Sequence, residues 1–457
     1  MKNTLHLLGG CKKAPAQVLA LVAGLIVMGN CLASQPIATT GPAKVEVRQA
    51  GGRWQMFVNQ KPFYIKGAGL EYGDQEKLVA AGGNSFRTWR TDNGQETGRQ
   101  ILDRAQKNGL YVTMGLDMAR ERQGFNYSNS NDVAQQLATI RAQVLEFKDH
   151  PALLMWDIGN ELNLNSTNPA VWDAVNNVSK MIHQLDHNHP TTTSLAGASK
   201  DVLDQIKNRA PDLDLLCFQS YADIVNLQHY LHDAGWAGPY AVTEWGATGH
   251  WECGKTGWGA PIEDNSSVKA NLYAKRYETA IAADTNGCLG SYVFLWGQKQ
   301  ERTPTWYGMF LPSGEATETV DVMEHLWTGR WPENRSPVIG GLWLDGKTAP
   351  DNVHLSAGQN YTAKIEARAA SAVPLTYSFE IMEESGAESV GGDFESEPQH
   401  LAGLVSADVA GEAQVKAPTK PGAYRFFAYV SNGQGRAAYG NIPFYVDGKT
   451  SSVASRP

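Results

Sequence analysis

The chain of 457 residues has no surplus of basic charge: 39 Lys and Arg stand against 47 Asp and Glu, a net charge of −8. Without a basic excess there is no electrostatic footprint for nucleic acid or for an anionic membrane surface, so a nucleic-acid partner is excluded. Cysteine is scarce, five in all. Cys11 and Cys31 fall in an amino-terminal leader, which leaves Cys217, Cys253 and Cys288, enough for one disulfide at most. Cys253 and Cys288 flank one loop-plus-helix unit and are the candidate pair in an oxidising compartment. Cys217, in the apolar run LLCF, reads as an inert buried thiol. No His/Cys cluster has metal-site spacing, so neither a metal nor a cofactor is expected. Long apolar runs are missing too. The longest, Val18 to Met28, falls short of the ~20 residues that a membrane-spanning helix needs, and no membrane insertion is expected.

That run belongs to the leader. Lys2, Lys12 and Lys13 precede it, and Cys31-Leu32-Ala33 places small residues at −3 and −1 for cleavage before Ser34. Residues 1–33 therefore read as a signal peptide, and the chain as secreted or periplasmic. A lipid anchor at Cys31 is the weaker alternative, because Asn30 is a poor match before a lipidated cysteine. What is plentiful is apolar and aromatic: hydrophobic residues are 42% and charged ones 19%, with 13 Trp, 17 Tyr and 46 Gly. Such a chain buries a large core. The flat indole and phenol faces suit either that core or a sugar-stacking cleft.

Residues 34–62 read as a β-hairpin lead-in with its turn at Gly51-Gly52. Over 63–335, apolar runs alternate with helical patterns. The runs are FYIKGAGL (63–70), NSFRTWR (84–90), LYVTMGLD (110–117), LLMWDIGN (153–160), TTTSLA (191–196), DLLCFQS (214–220), YAVTEWG (240–246) and GSYVFLWG (290–297). Helices are expected at Glu96 to Asn108, Val133 to Lys148, Val171 to Asp186 and Val268 to Ala283, with Gly109 as a stop signal. Eight strands with intervening helices over about 270 residues fit a (β/α)8 TIM barrel. An open doubly wound sheet is the rival; it wants a glycine-rich phosphate turn, which Gly67-Ala68-Gly69 followed by Leu70-Glu71 matches weakly. Over 336–447 the texture changes to short alternating stretches such as YTAKIEARA, LTYSFEIM and YRFFAYVS, a β-sandwich of immunoglobulin or PKD type. Residues 448–457 read as a flexible tail.

Barrel enzymes place their chemistry at the carboxyl ends of the strands. Two acids fall there, Glu161 after the fourth strand and Glu244 near the end of the seventh. Two carboxylates about 5–5.5 Å apart are what retaining glycoside hydrolysis requires, one as proton donor and one as nucleophile. Asn160 offers an amide to a sugar hydroxyl beside Glu161, the expected acid with a raised pKa. The runs Trp156-Asp157-Ile158-Gly159-Asn160-Glu161 and Thr243-Glu244-Trp245-Gly246 resemble the acid/base and nucleophile motifs of the clan A retaining glycoside hydrolases. The likeness covers about 60–330 and is nearest to the TIM-barrel domain of family 2; family 5 and the fungal glucanosyltransferases are also similar. It implies that Arg87 and Tyr221 hydrogen-bond the nucleophile and that Trp296 is the platform under the sugar. Gln219 stands where family 5 enzymes often carry His, and a short hairpin stands where family 2 carries a jelly roll.

The stretch 246–263 is long and glycine-rich, and its Trp251 and Trp258 read, with Trp245, as a cleft wall that binds substrate. The expectation is a retaining glycosidase acting on a β-linked oligo- or polysaccharide, β-glucan first. A transglycosylase using the same residues and a non-catalytic carbohydrate-binding barrel are the alternatives. The sandwich is expected to be a spacer, since Tyr424, Phe426, Phe427, Tyr429 and Tyr439 read as core.

Overall fold

The computed structural model describes residues 35–370 and 372–448. The expected signal peptide, and the tail from 449 onward, lie outside those residues. The lead-in is a three-stranded antiparallel sheet rather than a hairpin: β1 (Val45–Ala50), β2 (Arg53–Val58) and β3 (Lys61–Phe63). The third strand exists because Asn59 and Gln60, at φ 50° and 66°, close a second tight turn. Gln rarely takes the left-handed region, so this turn carries little sequence signal.

The barrel strands are β4 (Ile65–Gly69), β5 (Ser85–Arg87), β6 (Tyr111–Leu116), β7 (Leu153–Asn160), β8 (Thr191–Ala196), β9 (Leu216–Gln219), β10 (Tyr240–Glu244) and β11 (Cys288–Val293). Each pairs in parallel with its sequence neighbours, and β11 closes back on β4, so the eight expected strands form a closed TIM barrel. The connecting helices are α1 (Gln75–Ala80), α2 (Gly98–Asn108), α3 (Ser130–Phe147), α4 (Ala170–Leu185), α5 (Lys200–Arg209), α6 (Leu227–Asp233), α7 (Ser266–Arg276) and α8 (Glu318–Thr328). In α2 the boundaries are written locally. Thr97 and Gln100 form a capping box, and Gly109 ends the helix at φ 71°, where a side chain would be strained.

The two ends of the barrel differ. Val45, Met56 and Val58 of the lead-in sheet pack with Ile65, Leu154, Leu215, Ala241 and Leu289, which lie at or near the strand starts. That apolar plug seals the amino-terminal end and leaves the carboxyl end open for chemistry. Cys217 is buried in the same cluster. The Cys253–Cys288 pairing does not form, and all three described cysteines are free. Cys288 is buried within β11, whereas Cys253 sits in the loop after β10 with its thiol on the His250 carbonyl.

Beyond the barrel lie β12 (Val338–Leu344), β13 (Val353–Ser356), β14 (Asn360–Arg368), β15 (Thr376–Glu383), β16 (Val405–Val409), β17 (Glu412–Lys416), β18 (Gly422–Ser431) and β19 (Ala437–Asp447). They make two four-stranded sheets, ordered β12-β14-β17-β16 and β13-β19-β18-β15. The sheets enclose one apolar core, the expected sandwich. A buried polar seam bolts it to the barrel. Lys269 Nζ of α7 donates to Glu263 Oε1 at 2.6 Å and to the Trp306 carbonyl at 2.7 Å, and also meets Tyr439 Oη of β19 at 2.9 Å. Asn441 donates to the other oxygen of Glu263 at 2.6 Å. Arg425 of β18 grips Glu384 with two nitrogens and donates to the Pro261 carbonyl at 2.8 Å.

Candidate active site

The open end holds a cleft of about 740 Å³ with Glu161 and Glu244 both on its wall. Strand irregularity aims both acids. The β7–β8 register shifts between Asp157 and Asn160, and the β9–β10 register shifts between Val242 and Glu244. Such bulges redirect a side chain at a strand end. Gly159 at φ 76° and Glu161 itself at φ 51° complete the turn at the first of them. A non-glycine residue in that region is held there at a cost, which its surroundings must repay.

Glu244 is pinned from every side. Its Oε1 accepts from Arg87 Nη1 at 2.8 Å, Trp89 Nε1 at 2.8 Å and Gln219 Nε2 at 3.1 Å. Its Oε2 accepts from the Tyr221 hydroxyl at 2.9 Å. All four partners donate, the pattern that suits an acceptor-only carboxylate anion. Arg87 is fully buried and also donates to Asn160 Oδ1 at 2.9 Å and pairs with Asp157 at 3.2 Å. It does not reach Asp117 at the rim, which faces Arg120 instead. Asn160 Oδ1 accepts a second bond from Gln219 at 2.6 Å, and its Nδ2 has no hydrogen-bond partner among the described residues.

Glu161 is placed differently. No donor among the described residues bonds its carboxyl. Burial, then the nearby charge of Glu244, pushes its pKa up to about 8, against the pull of Arg122, Arg87 and Arg120. At neutral pH it therefore carries a proton, beside a carboxylate that accepts four hydrogen bonds. An acid that keeps its proton can act as general acid beside a hydrogen-bonded carboxylate placed to act as base or nucleophile.

The structure thus brings Arg87, Asn160, Tyr221 and Trp251 to the two acids. Trp251 is 56% exposed on the cleft, its ring edge-on to Tyr221. Two expected aromatic contacts, those of Trp245 and Trp258, do not face the cleft. Trp245 follows Glu244 but turns to the opposite side of the strand, fully buried against Tyr273 and Tyr277. Trp296 is on the cleft lining, with its ring packed against Phe310 and Trp327 and its indole N–H on the Asp74 carbonyl. Trp258 packs against His354 and Tyr445 of the sandwich, away from the cleft. Glu252 caps backbone amides of 222, 223 and 249.

Two Glu244 partners escaped the sequence reading. Trp89 lies two residues after Arg87, the spacing that returns to the same face of an extended segment. Gln219 is the last residue of β9, where strand ends carry chemistry. A third contribution comes from the sandwich, whose β15–β16 loop lines the cleft with Gly391, Gly392, Asp393 and Phe394. A mere spacer would not reach it.

A closed eight-stranded barrel gathers the two acids at its carboxyl end. Residues 83–256 match the family model described as glycosyl hydrolases family 2, TIM barrel domain. Among solved structures, a β-glucuronidase from Bifidobacterium dentium is similar at 17% identity, over 63% of this chain and 49% of that one, with a TM-score of 0.48. A putative β-galactosidase from Bacteroides fragilis is similar at 13% identity, over 89% and 58%, with a TM-score of 0.47. A family 5 mannosidase from Rhizomucor miehei is similar at 13% identity, over 62% and 96%, with a TM-score of 0.44. The chain spans about half the length of the β-glucuronidase it matches. No described helix is long and apolar enough to cross a membrane.

Proposed function

We propose that this chain is a retaining β-glycosidase, with Glu244 as nucleophile and Glu161 as acid/base. The Glu244 carboxylate attacks the anomeric carbon while the bond to the leaving oxygen breaks and that oxygen takes the Glu161 proton. Water then attacks the glycosyl ester, gives its proton to Glu161 and frees Glu244. Arg87, Trp89, Gln219 and Tyr221 fix the angle of attack, and Asn160 Nδ2 is free for a sugar hydroxyl next to the bond cleaved. The observation that carries the reading is the division of labour between the acids, one accepting four hydrogen bonds and the other holding its proton up to about 8. The proposed substrate is an exported β-linked oligo- or polysaccharide, with β-glucan the first to test. Trp251, exposed at the cleft edge, favours a second outcome at the same residues: an acceptor sugar stacked there in place of water gives transglycosylation.

A panel of aryl β-glycosides and β-glucans identifies the sugar. The matching 2-deoxy-2-fluoro glycoside then adds one glycosyl mass to the intact protein, and Glu244→Gln abolishes both labelling and turnover. Unchanged turnover in Glu244→Gln refutes the nucleophile assignment. Products longer than the substrate mark transfer rather than hydrolysis.

A further inference from the structure

The loop joining β15 to β16 runs through 384–404, longer than the ~12–15 residues beyond which an unstructured connection is usually functional. It is firmly held. Arg302, in the loop after β11, donates its backbone N–H to Glu395 Oε2 at 2.6 Å and a guanidinium nitrogen to the Ser389 carbonyl at 3.0 Å. Lys299 donates to the Gly392 carbonyl at 2.9 Å, Gln123 to Asp393 at 3.0 Å, and Arg122 pairs with Asp393 at 3.3 Å. Glu395 is buried. With the Lys269–Glu263–Asn441 seam below, these ties fix the loop to both the sandwich and the barrel rim.

The loop reaches the reacting groups through two glycines. Gly391 and Gly392 have φ 64° and 74°. A Cβ on Gly391 would stand 3.0 Å from Glu161 Oε2 and 2.7 Å from Arg122 Nη2, and its positive φ favours glycine there. Two residues on, Phe394 is 90% exposed on the cleft wall. A phenyl ring held almost entirely in water by an anchored loop gains nothing for folding. Its flat face is available to an apolar surface that arrives in the cleft, such as the C–H face of a pyranose ring.

The side of the cleft follows from chemistry. The group that donates the proton stands on the leaving-group side of the bond, and the loop passes beside Glu161, where a Cβ on Gly391 would stand 3.0 Å from its Oε2. The geometry points to Phe394 as a specificity-determining residue that stacks on the sugar leaving the active site, so that the sandwich supplies part of the leaving-group subsite. This rests on the glycosidase reading above and names the substrate feature that the site selects, a sugar rather than a small leaving group.

The test compares a β-glycosyl fluoride, whose leaving group has no ring, with the β-linked trisaccharide of the same sugar (glucosyl first, then galactosyl and mannosyl). Phe394→Ala is expected to lower kcat/KM for the trisaccharide about tenfold relative to the fluoride, the scale of one lost ring contact. Phe394→Trp restores the ratio to within about twofold. Arg302→Ala, which removes the guanidinium tie to Ser389 while keeping the Phe394 side chain, shifts the ratio in the same direction as Phe394→Ala. An unchanged ratio in Phe394→Ala overturns the assignment. If the wild-type chain turns over neither substrate, calorimetric binding of the trisaccharide separates the two claims. Weaker binding by Phe394→Ala then keeps the loop subsite without the enzyme, equal binding overturns the subsite, and no binding by the wild type overturns both.

Discussion

Replacing Glu161 with Gln should make the protein more stable, and increasingly so as pH rises. The folded chain holds this carboxyl's pKa at about 8, chiefly through burial and then through the Glu244 charge. In the unfolded chain the same group titrates near ~4.3. Between those values the folded state binds a proton that the unfolded state has released. Stability of the native protein therefore falls as pH rises through that window, and the loss is complete above pH 8. Gln keeps the shape of the neutral acid and cannot titrate, so the variant escapes the loss. Each pH unit crossed is worth ~1.4 kcal/mol, which puts the full effect at a few kcal/mol. For a body of this size one kcal/mol moves Tm by roughly 1 °C, by proportion from smaller domains. Differential scanning at pH 4 to 9 should show the two proteins melting together near pH 4. Their Tm values should separate by roughly 3–5 °C by pH 8 and then run parallel. In the wild type, kcat/KM should fall on an alkaline limb centred near pH 8 as the proton donor ionises. A Tm gap that stays flat with pH, or widens towards acid, would falsify the placement of a protonated Glu161 in this site.

Three other perturbations probe what surrounds it. Arg87→Met leaves Asp157 and Glu244 buried without their shared cation, and urea or thermal melts should show a loss of about 3–5 kcal/mol together with lost activity. Tyr221→Phe removes one charge-assisted hydrogen bond from Glu244 Oε2 and leaves the ring packing, so kcat/KM should drop about tenfold or more with Tm within a degree or so of wild type. Lys269→Met strands Glu263 in the barrel–sandwich seam. It should lower stability by about 3–5 kcal/mol, and a rise in KM for oligosaccharide at temperatures below the melt would report the loosened loop.

The barrel was legible because its signals are local. Parallel strands buried on both faces are apolar almost throughout, as LLMWDIGN is, and the capping of α2 by Thr97 and Gly109 is set by a few neighbouring residues. Strand order then placed Glu161 and Glu244 at the carboxyl ends, with Asn160 beside Glu161, while Arg87 and Tyr221 came from the resemblance to the clan A glycoside hydrolases. Other readings failed on facing or on distant contacts. Trp245 and Trp258 lie next to catalytic-looking sequence, yet burial or a neighbouring element turns each ring away. The spacer reading of the sandwich missed the loop that lines the cleft.

By itself, then, the sequence determined the alternation of strand and helix, the change to sandwich texture near Ser336, and the acids at two strand ends. Each follows from periodicity or from chemistry within a short span. Only the tertiary structure decided what surrounds those acids and what roofs the cleft. Their neighbours arrive from distant parts of the chain: Trp89 and Gln219 on Glu244 and, from the far domain, the backbone of Gly391 beside Glu161. No short-range pattern encodes such a meeting, because it is set by the packing of one domain on another.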